Sequence, residues 1–297
     1  MASNPVFGRF DKDLSKGEYA SIGQPQYGQY AQPQQPGMPG GQWAQQAPAA
    51  GAAAYQQNLE DLYNSPAATS AQTRRMTMND VIMKSLGLFA VLVAVAAGAW
   101  IAIDHNPSLS VPLWIGGAIV GLILVFVISF KKVVSPPLIV AYAVAEGLFL
   151  GAVSRSFENV PQWSGIVVQA VIATLCVFVG MYALFFSGVI KVTERSRKIF
   201  MMALLGYVLF AVVNAILVWT GVLSGFGVGG SGPWGILISV VAVGLAAYSL
   251  AVDFDSIQRG VNAGLPEKYS WLMAFGLMVT LVWLYVELLR LFARMRD

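Results

Sequence analysis

Two acids, Asp253 and Asp255, stand in the stretch GLAAYSLAVDFDSIQRG, Gly244 to Gly260, where a long apolar run has not yet left its helix. A carboxylate within membrane depth is costly and is a functional candidate by default. Glu146 is the second such acid, about ten residues or ~15 Å into the apolar segment that starts at Pro136, near mid-membrane. Asp253 lies about seven residues or ~10 Å before Gly260, which is expected to end its helix, so the two acids reach similar depth. Asp255 points about 200° away from Asp253 around the helix and is expected at the water interface. Glu287 and Arg290 are spaced to pair on one helix face. Asn214 reads as a hydrogen bond within the bundle, and His105 as a solvated loop residue.

The elements that must position these groups are membrane helices. Of 297 residues, 57% are hydrophobic and 11% charged, with mean hydropathy +0.64, more apolar surface than one soluble core can hide. Seven apolar segments approach the roughly 20 residues needed to cross a bilayer. They are Val81 to Ile103, Leu113 to Phe130, Pro136 to Ser154, Trp163 to Ser187, Lys198 to Thr220, Trp234 to Gln258 and Tyr269 to Phe292. The fold class is therefore an all-α integral membrane bundle of seven helices. Gly116, Gly117, Gly121, Gly147, Gly151, Gly206, Gly244 and Gly276 are expected to let helix backbones approach closely. Cys176, the one cysteine, has no partner for a disulfide and reads as core filler.

Residues 1 to 72 differ in kind. They are rich in Gln, Pro, Gly, Ala and Tyr and cannot bury enough apolar surface to offset the entropy of ordering, so a disordered tail is expected, with a membrane domain over 76 to 296. No charged and apolar leader opens the chain, and the first membrane helix is expected to act as its own signal.

Lys and Arg report orientation. Arg74, Arg75, Lys84, Lys131, Lys132, Lys191, Arg195, Arg197, Lys198, Arg259 and Lys268 all fall at one end of the bundle, whereas the loop GVLSGFGVGGSGP at the other end has no charge. A cytoplasmic N-terminus follows. Arg290, Arg294 and Arg296 go against this if the last segment crosses, and its apolar run Leu272 to Leu289 favours crossing over re-entry.

Enzymatic chemistry finds little support. One histidine, in a loop, leaves no helix-borne zinc pair and no Ser-His pair, and neither a nucleophile elbow nor a P-loop is present. No Lys follows Lys268 to carry a retinal Schiff base. No catalytic residue or cofactor is expected, and the small net charge of +3 argues against nucleic acid as a partner. A few buried acids in a bundle are the inventory of an ion pathway or a proton-responsive switch.

Ala251-Val252-Asp253-Phe254-Asp255-Ser256-Ile257-Gln258, the ending YVELLRLF and the segment AYAVAEGLFLGAVSR together resemble the Bax inhibitor-1 family of seven-helix membrane proteins. The resemblance covers about Met76 to Arg296, the tail resembling nothing specific in the family, while MASNPVFGRF and MTMND look like an actinobacterial branch. It implies a central last helix wrapped by two three-helix layers and a pH-sensitive calcium leak in a bacterial cytoplasmic membrane. In bacterial members two aspartates, on helices six and seven, share a proton, and a basic latch residue sits near the end of helix two. Asp253 matches the first aspartate, Thr280 stands where the second is expected, and Lys131 and Lys132 are the latch candidates. Glu146 is the substitute that physical reasoning offers: two carboxylates brought together in low dielectric do not both ionise freely. Asp253, Glu146, Thr280 and backbone carbonyls would supply the oxygens a transient calcium ion needs. The leading expectation is thus a pH-sensitive cation leak, with calcium as the ion. The alternative is a non-enzymatic regulator that binds other membrane proteins, such as a membrane protease, through its tail.

Overall fold

Each apolar run becomes one helix in the computed structural model, which describes residues 74–131 and 133–297. In chain order they are α1 Met78–His105, α2 Ser110–Phe130, α3 Pro136–Glu158, α4 Ile166–Phe186, α5 Glu194–Trp219, α6 Pro233–Asn262 and α7 Tyr269–Arg296. All seven are long and apolar enough to span a bilayer. The tail expected over residues 1 to 72 and Lys132 lie outside the described residues.

The starts follow local chemistry. Thr77 and Asp80 close a reciprocal capping box at α1, and Thr193 and Ser196 do the same at α5. Pro136 and Pro233 open α3 and α6, where a missing N–H costs nothing. The helices outrun the apolar segments at several ends, because charged residues such as Glu158 and Arg259 continue the helix past the apolar stretch. Gly260 does not end α6, contrary to expectation. It is buried inside the helix, and the stop is Gly264, at φ +65°, where Leu265 N–H bonds the Gly260 carbonyl and Gly264 N–H that of Val261. That is a glycine C-cap of the Schellman kind, which needs the left-handed residue after the helix rather than in it.

α7 is the centre. In its most apolar window 78% of residues are buried, against none in α5. One layer packs α1 and α2 along α3, the other packs α4 and α5 along α6, and α7 touches both layers, chiefly α1, α4 and α6. Tyr142 of α3 meets Phe275 of α7 edge-on at 4.9 Å in the core. The expected two-layer wrapping of a central last helix is what the fold contains.

Small residues explain the tight layer. A Cβ on Gly147 would stand 2.8 Å from the Leu92 carbonyl oxygen, one on Gly151 would strike that of Ala96, and one on Gly117 would come within 2.8 Å of the Phe149 nitrogen. Gly116, Gly206 and Gly244 meet nothing within 4 Å, so they bring no helices together. Nor does Cys176 fill the core: it is exposed on α4. Both misreadings have one cause, since in an all-apolar helix no polar stripe tells the lipid face from the packed one.

The two ends of the bundle are distinct. At one, Met76 N–H bonds the Leu265 carbonyl at 2.6 Å, Glu267 N–H bonds that of Arg74 at 2.8 Å, and Lys84 reaches Glu267 and Ser270. At the other, Asp297 accepts from Trp163 at 3.1 Å and from Ser231 at 2.6 Å. α7 therefore runs the full length of the bundle, crossing rather than re-entering. His105 is the last residue of α1, its Nδ1 2.8 Å from the Ile101 carbonyl, instead of a loop residue.

Candidate ion-pathway site

Asp253 sits on α6 where that helix packs against α7, and it is wholly buried. Val252 and Phe254 beside it are buried too, so the carboxylate has apolar neighbours along its own helix. Across the interface Thr280, 2% exposed, donates its hydroxyl to Asp253 Oδ2 at 2.6 Å. A threonine at this point of the central helix is thus a direct partner of the acid.

Asp255, two residues on, turns away toward α5. It pairs with Arg197, which is buried at the start of α5, and with Arg259 one turn along α6 at 3.1 Å. Its side chain is about one-fifth exposed (19%). Arg197 and Asp255 make the ion pair that ties the start of α5 to α6.

Glu146 is on α3, where its carboxyl lies against α2. A Cβ on Gly121 would come 2.7 Å from Glu146 Oε1, so that glycine makes room for the carboxyl. Its polar neighbour is Tyr142, one turn earlier, and its Oε2 has no hydrogen-bond partner among the described residues. No hydrogen bond or ion pair joins Glu146 to Asp253. Lys131 caps α2 in an exposed position and forms no ion pair among the described residues. Three acid, histidine or cysteine side chains gather into a cation cage nowhere among the described residues.

The remaining intramembrane acid is the most fully partnered. Glu287, 3% exposed on α7, pairs with Arg290 at 3.0 Å through both oxygens. It also accepts from Trp283 Nε1 at 3.1 Å and from the Tyr207 hydroxyl of α5. The expected pair on one helix face is present, and Tyr207 extends it across to a second helix. Asn214 bonds the Phe226 carbonyl at 3.3 Å and Val228 N–H at 2.7 Å, so it ties α5 to the glycine-rich connection instead of to another helix.

The family model described as Bax inhibitor 1 like matches residues 5–297, nearly the whole chain. The chain belongs to the Bax inhibitor 1-like family. The match takes in most of the tail, so it is not confined to Met76 onward. A comparison with curated proteins finds no match. As a Bax inhibitor 1-like protein the chain carries its helix-six acid, Asp253, in the core, with Thr280 as its partner on the last helix.

Reasoning from the sequence missed two buried arginines. Arg197 served there only as a topology marker, yet it is the buried base that meets an α6 acid, 58 positions away in the chain. Arg294 likewise is 4% exposed and lies inside the bundle. Its place in the last turn of a helix gives no signal of burial, because a terminal arginine ordinarily reaches water.

Proposed function

We propose that this protein is a pH-responsive cation leak of a bacterial cytoplasmic membrane, with calcium as the ion and Asp253 as the group whose protonation sets the open fraction. The observation that carries the reading is a wholly buried carboxylate held to the central helix by the Thr280 hydroxyl. Gaining or losing one proton there changes the charge of the α6–α7 interface by one unit, a large perturbation where water is excluded. The neighbouring Arg197–Asp255–Arg259 cluster supports a closed state, since it ties α5 and α6 together at the same end of α6. Opening would loosen that tie and admit water to Asp253, whose carboxylate, with the Thr280 hydroxyl and backbone carbonyls, offers a hard cation oxygen ligands in passing.

The test is calcium entry into proteoliposomes as a function of pH. Asp253→Asn removes the titrating group and is expected to flatten the pH profile and change flux by about tenfold, a barrier change of roughly 1.4 kcal/mol. An Asp253→Asn protein that reconstitutes normally and keeps both the flux and the pH profile of the parent chain would overturn the reading.

A further inference from the structure

Far from Asp253 along the bundle, a cavity of ≈ 790 Å³ opens between the ends of α3, α5, α6 and α7. Its size falls within the roughly 300–1,000 Å³ of small-molecule sites. One wall is apolar, built from Phe149, Val153, Phe210, Ala211 and Ile238. The other carries charge. Glu287 and Arg290 line it and pair at 3.0 Å, and the Asp297 carboxylate keeps its negative charge, since its partners Trp163 and Ser231 are neutral donors.

Arg294 is the cavity's cation without a direct ion pair. It lines the cavity at 4% exposure and donates to the carbonyls of Gly235 and Phe226 and to the Ser239 hydroxyl, with its guanidinium 5.4 Å from the centre of the Phe226 ring. Those partners satisfy N–H groups without supplying negative charge. No carboxylate lies within 4.0 Å of it among the described residues, and its Nε has no hydrogen-bond partner there. A buried cation with no carboxylate in direct contact is costly even with Glu287 and Asp297 in the same cavity, and an anion arriving against it would relieve that cost.

The apolar wall says what kind of anion fits. α5, the helix with the least buried surface, forms one side, and Trp219 stands at the rim with 88% of its surface exposed. A molecule dissolved in the bilayer would reach such an opening without passing through water, and an exposed tryptophan suits the membrane interface. We propose that this cavity binds a single-chain amphiphilic anion, its carboxylate or phosphate head against Arg294 and its hydrocarbon tail along the apolar wall.

The test uses the full chain in nanodiscs of zwitterionic lipid, with four probes: a 16-carbon fatty acid, a lysophosphatidate of equal chain length, the matching neutral monoacylglycerol and inorganic phosphate. Saturable binding of the fatty acid or the lysophosphatidate is expected, with the monoacylglycerol at least about tenfold weaker and no competition from inorganic phosphate. The tighter of the two anions names the head group. Arg294→Gln should weaken binding about tenfold or more. Ala211→Trp, which leaves Arg294 in place and narrows the apolar wall, should do the same and decides the matter if Arg294→Gln does not fold. Equal binding of the neutral probe, full competition by inorganic phosphate, or unchanged affinity in a folded Ala211→Trp protein would each overturn the proposal. None of these outcomes touches Asp253, so the calcium leak stands or falls separately.

Discussion

At the scale of single residues, Asp253 and Glu146 are two buried acids with different surroundings. Asp253 shares a hydrogen bond with Thr280, whereas Glu146 lies in the room left by Gly121 and has Tyr142 as its neighbour. Energetic coupling should follow these contacts. In thermal unfolding of the detergent-solubilised protein, Asp253→Asn combined with Glu146→Gln is expected to be additive within about 0.5 kcal/mol, because the two share no partner. Asp253→Asn combined with Thr280→Val should depart from additivity by roughly 0.5–3 kcal/mol, because each substitution removes the same bond. The reverse pattern would join Glu146 to the gate and detach Thr280. The acids themselves were legible in the sequence, since a carboxylate in an apolar run stands out against its neighbours. Thr280, 27 positions from Asp253, was indicated only by the family resemblance, and the partner of Asp255 was not legible at all: Arg197 lies 58 positions away and no helical spacing relates the two.

At the scale of elements, the seven helices were legible because each apolar run has the length a bilayer requires, and their ends were blurred because charged residues extend a helix beyond its apolar part. Which glycines pack was hidden, since the contact lies between helices. Gly151 and Gly206 make that difference measurable. A side chain at Gly151 meets the Ala96 carbonyl, part of a backbone that cannot step aside, whereas Gly206 faces open space. Gly151→Ala should therefore cost about 1–3 kcal/mol by overpacking the α1–α3 contact. Gly206→Ala should cost nothing and gain up to about 1 kcal/mol from helix propensity. Melting of the two variants side by side checks this, and equal stabilities would mean that α1 and α3 do not approach as closely as their glycines allow. The same layer positions Glu146, so a loosened α1–α3 contact would reach the acid through α3 without altering any polar group.

At the scale of the whole molecule, one end keeps several basic residues outside any ion pair, beside the paired Arg74, Lys84, Arg197 and Arg259. Lys131, Lys191, Arg195 and Lys198 belong to this end, all of them exposed, and none forms an ion pair among the described residues. At the opposite end Arg155 pairs with Asp104, Arg290 with Glu287, Arg294 is buried among carbonyls, and Arg296 donates to the Ser164 carbonyl and Gln169. Basic residues resist translocation as free charges close to membrane segments, so those the fold binds internally do not contradict an orientation set by the free ones. The three C-terminal arginines, which read as an inconsistency in the sequence alone, thus become compatible with a last helix that crosses. The expected orientation has the free lysines in the cytoplasm. Replacing the exposed Cys176 by Ala clears the chain of native thiols, after which Ser187→Cys and Ser224→Cys, both at exposed positions, report the two ends. A membrane-impermeant maleimide added to intact cells should label Ser224→Cys at once and Ser187→Cys only after permeabilisation. Labelling in the opposite order would invert the protein in the membrane, turn the cavity at Arg294 toward the cytoplasm, and require the bound arginines rather than the free lysines to set the orientation.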